Sequence, residues 1–165
     1  MIVISDTTPL ISLLKIKRLD LLEKIFGQVF IPDGVFNELI QNQSYAQEAK
    51  TIISTDFIVT KSVSDRKAIE ILEKTTSLDR GESEAIILFG ELKAELILMD
   101  ERRGREVAIK LKMPLSGTLG VLLEAFDKNI ISREEIEQYL DEFQKQHRRF
   151  SRKIMSVVKR HINHE

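Results

Sequence analysis

Apolar positions along the chain fall into short continuous runs separated by stretches of helical spacing, the pattern of strands alternating with helices. Ile2-Val3-Ile4-Ser5 is a β-branched run closed by Asp6 and followed by Thr7-Thr8-Pro9, which suit a helix start. Leu10, Leu13 and Leu14, then Leu21, Leu22 and Ile25, keep helical spacing with a break near Arg18 and Leu19, and Gly27 closes the second of two short helices. Val29-Phe30-Ile31 before Pro32 reads as a second strand, and Asp33 as the cap of a helix carrying Val35, Phe36, Leu39 and Ile40 with Glu38 inside it. The polar stretch from Gln41 to Ala49 fits either a helix extension or a loop.

Phe57-Ile58-Val59 alternates like a strand, and Ser64 and Asp65 can start a helix through Ile69 and Leu72. Asp79-Arg80-Gly81-Glu82-Ser83-Glu84 precedes an apolar helix from Ala85 to Leu92. Leu96-Ile97-Leu98-Met99 is then a buried-strand run ended by Asp100. A helix from about Glu101 to Leu111, a short segment at Pro114-Leu115 and a helix around Gly117 and Gly120 running to Phe126 complete the alternation. From Arg133 to about His161 only helical patterning remains, with Ile136, Tyr139, Leu140 and Phe143, then Phe150, Ile154, Val157 and Val158. The expected architecture is α/β: a parallel sheet of about four to five strands flanked by helices over residues 1–130, with a C-terminal helical extension of the same domain over 131–165.

Composition narrows the chemistry. The 165 residues, 42% hydrophobic and 31% charged, suit one globular domain. With no cysteine, a bound metal must rest on oxygen or on the three histidines, and oxygen favours magnesium, manganese or calcium. No apolar run is long enough for a membrane span and the N-terminus lacks the look of a secretion signal, so a cytoplasmic location is the expectation. The net charge of −1 hides a basic C-terminal segment in which Lys145, Arg148, Arg149, Arg152, Lys153, Lys159 and Arg160 are opposed only by Glu165. His147, His161 and His164 lie in the same segment without metal-binding spacing and suit a surface.

Asp6 and Asp100 both end predicted parallel strands, the edge at which ligands collect in open α/β sheets. With Glu38 and either Glu82 or Glu84 they form a set of carboxylates near element ends, and converging carboxylates repel unless a cation compensates. Plain roles exist for each: strand-leaving turns for the aspartates, a solvated helix face for Glu38, a favourable meeting with the helix dipole for Glu82 and Glu84. Glu82 and Glu84, two residues apart, face different sides of a helix, and Glu84 is preferred.

Four segments carry a resemblance to a known family: Val3-Ile4-Ser5-Asp6-Thr7-Thr8-Pro9-Leu10-Ile11, Leu78-Asp79-Arg80-Gly81-Glu82-Ser83-Glu84-Ala85-Ile86, Leu98-Met99-Asp100-Glu101-Arg102-Arg103, and Ser116-Gly117-Thr118-Leu119-Gly120-Val121-Leu122-Leu123. In this order they resemble the PIN domain, a fold of small metal-dependent nucleases that includes VapC-like toxins, and within it a PIN-like prokaryotic subfamily. The resemblance implies cleavage of RNA phosphodiester bonds with Mg²⁺ or Mn²⁺, and it maps the acidic residues onto Asp6, Glu38, Glu84 and Asp100. The sixteen-residue separation of Glu84 from Asp100 fits the family spacing better than that of Glu82. Asp6 and Asp100 would be principal ligands, with Glu38 and Glu84 as ligands or as residues orienting the attacking water. Ser5, Thr7, Glu82 and Thr118 would support them, and Arg102 and Arg103, with Arg105 nearby, would meet substrate phosphates. Implied partners are an RNA substrate, an antitoxin protein and a second copy of the chain. A PIN-like module that binds RNA or protein without cutting is the alternative. Phosphoryl transfer on Asp6 would call for an Asp-x-Asp pair that Ser5-Asp6-Thr7-Thr8 does not supply.

Overall fold

A computed structural model describes residues 1–146, 148 and 150–164; His147, Arg149 and Glu165, counted above in the basic segment, lie outside the described residues. Strand β1 (Val3–Ser5) is buried throughout, as its unbroken apolar run requires of a strand flanked on both sides. It pairs in parallel with β2 (Val29–Pro32), Val3 opposite Val29, and with β4 (Leu96–Leu98), Ser5 opposite Leu98. Strands β3 (Ile58–Lys61) and β5 (Leu115–Ser116) complete a five-stranded parallel sheet in the order β3-β2-β1-β4-β5. The chain builds outward from β1 through β2 to β3, then returns across β1 to lay down β4 and β5. The order therefore reverses between β1 and β4, and there the strand ends open a crevice.

Helices α1 (Thr7–Lys15) and α2 (Asp20–Phe26) are separated where expected. The break has a backbone cause: Lys17 takes a left-handed φ of 59°, and Lys17 and Arg18 donate back to Leu14 and Leu13, closing α1. Gly27, at φ 77°, ends α2. Helix α3 (Asp33–Gln41) begins at Asp33 rather than after it. The polar stretch left open above forms a 3₁₀ turn (Gln43–Tyr45) and a further helix, α4 (Ala46–Ser54), held by buried Ala49 and Ile52. Asp65 caps α5 (Arg66–Thr75), accepting the Ala68 amide at 3.0 Å.

Helix α6 (Arg80–Glu91) starts five residues earlier than the apolar run suggests. Helices α7 (Arg102–Lys110), α8 (Thr118–Asp127), α9 (Arg133–Lys145) and α10 (Arg152–Asn163) follow. Compact packing divides the chain into Met1–Thr118, which holds the whole sheet, and Leu119–Glu165. In the first unit Ala85, Ile86 and Leu88 of α6 pack with Ile4, Ile97 and Met99 in one core, and α3 lies against α6. The second buries Ile136, Leu140 and Phe143 of α9 and Val158 and Ile162 of α10, with Phe143 edge-on to Phe150 at 5.6 Å. Ile154 and Val157, assigned above to the apolar stripe, are instead exposed. No helix among the described residues is long and apolar enough to cross a membrane.

Candidate metal centre

Asp6 leaves β1 with extended backbone, and its amide donates to Leu98 O at 2.9 Å, so the residue after β1 is stitched to the end of β4. Its side chain is only 3% exposed. Burial pushes the carboxyl well above its ordinary pKa; a hydrogen bond from the Thr7 amide works against this, while Glu82, Asp79 and Glu38 push it further up. The charged side chains that act on Asp6 most strongly are all carboxylates.

Glu38 reaches the same crevice from α3. Its Oε2 accepts the Thr7 hydroxyl at 2.7 Å, and burial, with Asp79 and Glu101 nearby, raises its pKa against that bond. Glu82 arrives from the first turn of α6, where it and Asp79 cap each other: the Glu82 amide donates to Asp79 Oδ1 at 2.8 Å and the Asp79 amide to Glu82 Oε2 at 3.0 Å. Burial raises the Glu82 pKa, and Asp79, Glu101 and Glu38 add to the rise. Asp6, Glu38, Asp79, Glu82 and Glu101 line one cleft of about 540 Å³, with Arg102 and Arg103 also on its wall.

Asp100 stands at the neighbouring strand end, its carboxylate taken by the first residue of α8. Oδ1 accepts the Thr118 amide at 2.8 Å and Oδ2 the Thr118 hydroxyl at 2.5 Å. Gly117 makes room for this, because a Cβ there would collide with Asp100 Oδ1. Arg105 donates from Nη1 to Met99 O at 2.8 Å and to Ser116 O at 3.3 Å, tying the ends of β4 and β5 together beside Asp100. Asp100 is not on the wall of the Asp6 cleft; its neighbour Glu101 is, accepting the Thr8 hydroxyl at 3.3 Å.

Glu84 lies elsewhere. Its carboxylate occupies the space a Cβ on Gly34 would need, receives the Gly34 amide, and meets Arg80 Nε at 3.5 Å. Helix α3 has no side-chain cap of its own, so Glu84 serves its first turn from across the α3–α6 contact. Burial raises the Glu84 pKa, Arg80 opposes the rise and Asp33 adds to it. The preference for Glu84 over Glu82 thus meets a different arrangement: Glu82 is the residue beside Asp6, and Glu84 lines an adjacent cleft of about 590 Å³.

Ser5 donates to the Asp6 backbone carbonyl at 2.8 Å rather than to a carboxylate, and the Arg102 guanidinium is 90% exposed and paired with Glu106 at 2.9 Å. Asp79 and Glu101 escaped the sequence reading. The Asp79-x-x-Glu82 spacing of a capping box is the signal that marks the first; nothing beyond adjacency to Asp100 marks the second.

No group of three or more His, Asp or Glu side chains among the described residues is already arranged to hold one metal ion. Glu38, Glu82 and Asp100 are each turned toward a hydrogen-bond donor of the protein. The donor set nevertheless fits a hard divalent cation: the cleft offers carboxylate oxygen, and its most buried member, Asp6, is surrounded by like charge. No curated protein and no solved structure matches the chain significantly. A family model described as a PIN domain matches residues 2–164, nearly the whole length. The chain belongs to the PIN-domain family.

Proposed function

We propose that this protein is a divalent-metal-dependent endoribonuclease, with Asp6, Glu38 and Glu82 as the acidic residues that hold Mg²⁺ or Mn²⁺ and Asp100 completing the set from the next strand end. PIN domains are in general nucleases served by divalent metals. The observation that carries the reading to these residues is the burial of Asp6 among the like charges of Glu82, Asp79 and Glu38. When bound, the metal would lower the pKa of a water at the scissile phosphate and offset the charge that develops there. The protein's own part is positional. Thr7 fixes Glu38, the Asp79 amide fixes Glu82, and Thr118 fixes Asp100, so the oxygens are presented on short tethers. Arg102 and Arg103 on the cleft wall would take the phosphates flanking the cleavage point.

The test is RNA cleavage by the purified protein across a series of Mg²⁺ and Mn²⁺ concentrations. Asp6→Asn and Asp100→Asn are expected to abolish metal-stimulated cleavage with the circular dichroism spectrum unchanged, and Glu82→Gln to lower it far more than Glu84→Gln. Undiminished cleavage in both Asn variants overturns the assignment. Wild-type protein that binds RNA and cuts none at any metal concentration identifies instead a PIN-fold module that holds RNA. As the toxin of a toxin–antitoxin pair, the protein expressed alone should arrest growth, and Asp6→Asn should relieve the arrest.

A further inference from the structure

We propose that α10 is a docking surface for the phosphate backbone of single-stranded RNA; that its polyanion is the substrate rests on the nuclease reading above. Arg152, Lys153, Lys159 and Arg160 of this helix are all exposed. The helix contains no acidic residue, and no carboxylate lies three or four positions from any of the four. Five exposed cations on other helices are paired locally. Lys24, Lys74, Lys128, Arg133 and Lys145 each meet a carboxylate one helical turn away, at 2.7–3.3 Å. In α10 that local neutralisation is missing from the sequence itself, in a chain whose net charge is −1.

Helical geometry gathers these charges. At 3.6 residues per turn Arg152, Ser156, Lys159 and Asn163 fall along one line, with Lys153 and Arg160 beside it; positions seven apart stand about 10 Å from each other along the axis. The line from Arg152 to Asn163 is made wholly of side chains that donate hydrogen bonds. On the opposite side, His161 Nε2 lies 2.7 Å from Asp127 Oδ1 at the end of α8, and its ring packs edge-on to Phe126 at 6.4 Å. Val158 and Ile162 are buried. The helix is thereby held by one side, and its donor stripe is turned away from α8.

The chemistry of the stripe selects its partner. A protein-binding face is built around a desolvated apolar centre with charge at the rim. Here the line from Arg152 to Asn163 holds no apolar side chain; of the two exposed aliphatic residues, Val157 flanks it between Lys153 and Arg160 and Ile154 lies on the far side of the helix. Charge plus hydroxyl and amide donors is what phosphate oxygens take, without regard to base sequence. Tracking a backbone by charge also leaves its signature in salt dependence.

The experiment measures binding of the full-length protein to a labelled single-stranded RNA of mixed sequence, in EDTA so that nothing is cut, across a salt series. Four phosphate contacts contribute about −2.8 to the slope of log affinity against log salt. Replacing Arg152, Lys153, Lys159 and Arg160 with Gln should flatten the slope by that amount, whereas Lys153→Arg with Lys159→Arg should leave it unchanged. If the fourfold variant loses helix content, Arg152→Gln with Lys159→Gln reads half the change, about 1.4. An unchanged slope in a folded variant overturns the proposal, as it would if α10 served an acidic protein partner. Because cleavage plays no part in this measurement, its failure is distinct from failure of the Asp6 variants to stop cleavage.

Discussion

Two glycines beside carboxylates show how tightly the acidic side chains are placed. Gly34 leaves room for the Glu84 carboxylate and Gly117 for that of Asp100. Gly34→Ala is expected to destabilise the protein by about 1–3 kcal/mol, as overpacking does, read by urea unfolding. Thr118→Val keeps the volume but removes the hydroxyl that holds Asp100 Oδ2. Losing such an outer partner should weaken Mn²⁺ binding by about 10–100-fold, measured by calorimetry, and an unaltered affinity would detach Asp100 from the metal. At this scale the sequence was legible in part. Strand-end position marked Asp6 and Asp100 as candidates, and the structure has Asp6 directly after β1 and on the wall of the cleft, with Asp100 two residues beyond β4. The preference for Glu84 over Glu82 followed the spacing to Asp100, while the apolar run starting at Ala85 hid the first turn of α6, which is buried through Gly81, Glu82, Ser83 and Glu84 and from which Glu82 reaches the cleft beside Asp6.

Helix starts are the elements on which the site depends. Asp79 and Glu82 form a capping box on α6, and Ser132 and Glu135 form another on α9. Asp79→Ala and Ser132→Ala should each cost about 1 kcal/mol in unfolding experiments. Only the first should change the metal dependence of cleavage, since the Asp79 carboxyl accepts the Glu82 amide and itself lines the cleft; equal effects of the two on activity would separate the box from the site. The same comparison explains what the sequence pattern missed between elements. Helix α4 was hidden in a polar stretch because only Ala49 and Ile52 of its nine residues are buried, too few for a clear apolar period. Strands β1 and β4, both buried, were plain for the opposite reason.

For the molecule as a whole, four carboxyls with raised pKa values set a pH dependence. Asp6, Glu38, Glu82 and Glu84 hold their protons more tightly when folded than when unfolded. The folded state therefore binds more protons between the ordinary carboxylate range and the raised values, and metal-free stability falls as pH rises through that window. Asp20 works the other way. Burial opposes ionisation there, but Arg18 and Lys24 hold its pKa below the usual value, so its contribution is lost as pH falls through that lowered value. Melting temperatures in EDTA should consequently peak at mildly acidic pH. Mg²⁺ or Mn²⁺ at about 100 times its dissociation constant should add about 2.7 kcal/mol at neutral pH. A metal-free protein most stable at neutral pH contradicts the raised values.

The reversal of strand order between β1 and β4 also has a meaning in time. β1 opens the chain, yet the partner on its second side, Leu96–Leu98, is laid down only after β2, β3 and helices α1 to α6 have been made. During synthesis the strand that delivers Asp6 remains an open hydrogen-bonding edge until most of the first unit has left the ribosome. A nascent chain halted before Leu96 therefore has Asp6 without the strand that stitches it into place, so assembly of the centre is deferred until the chain is long enough to enclose it.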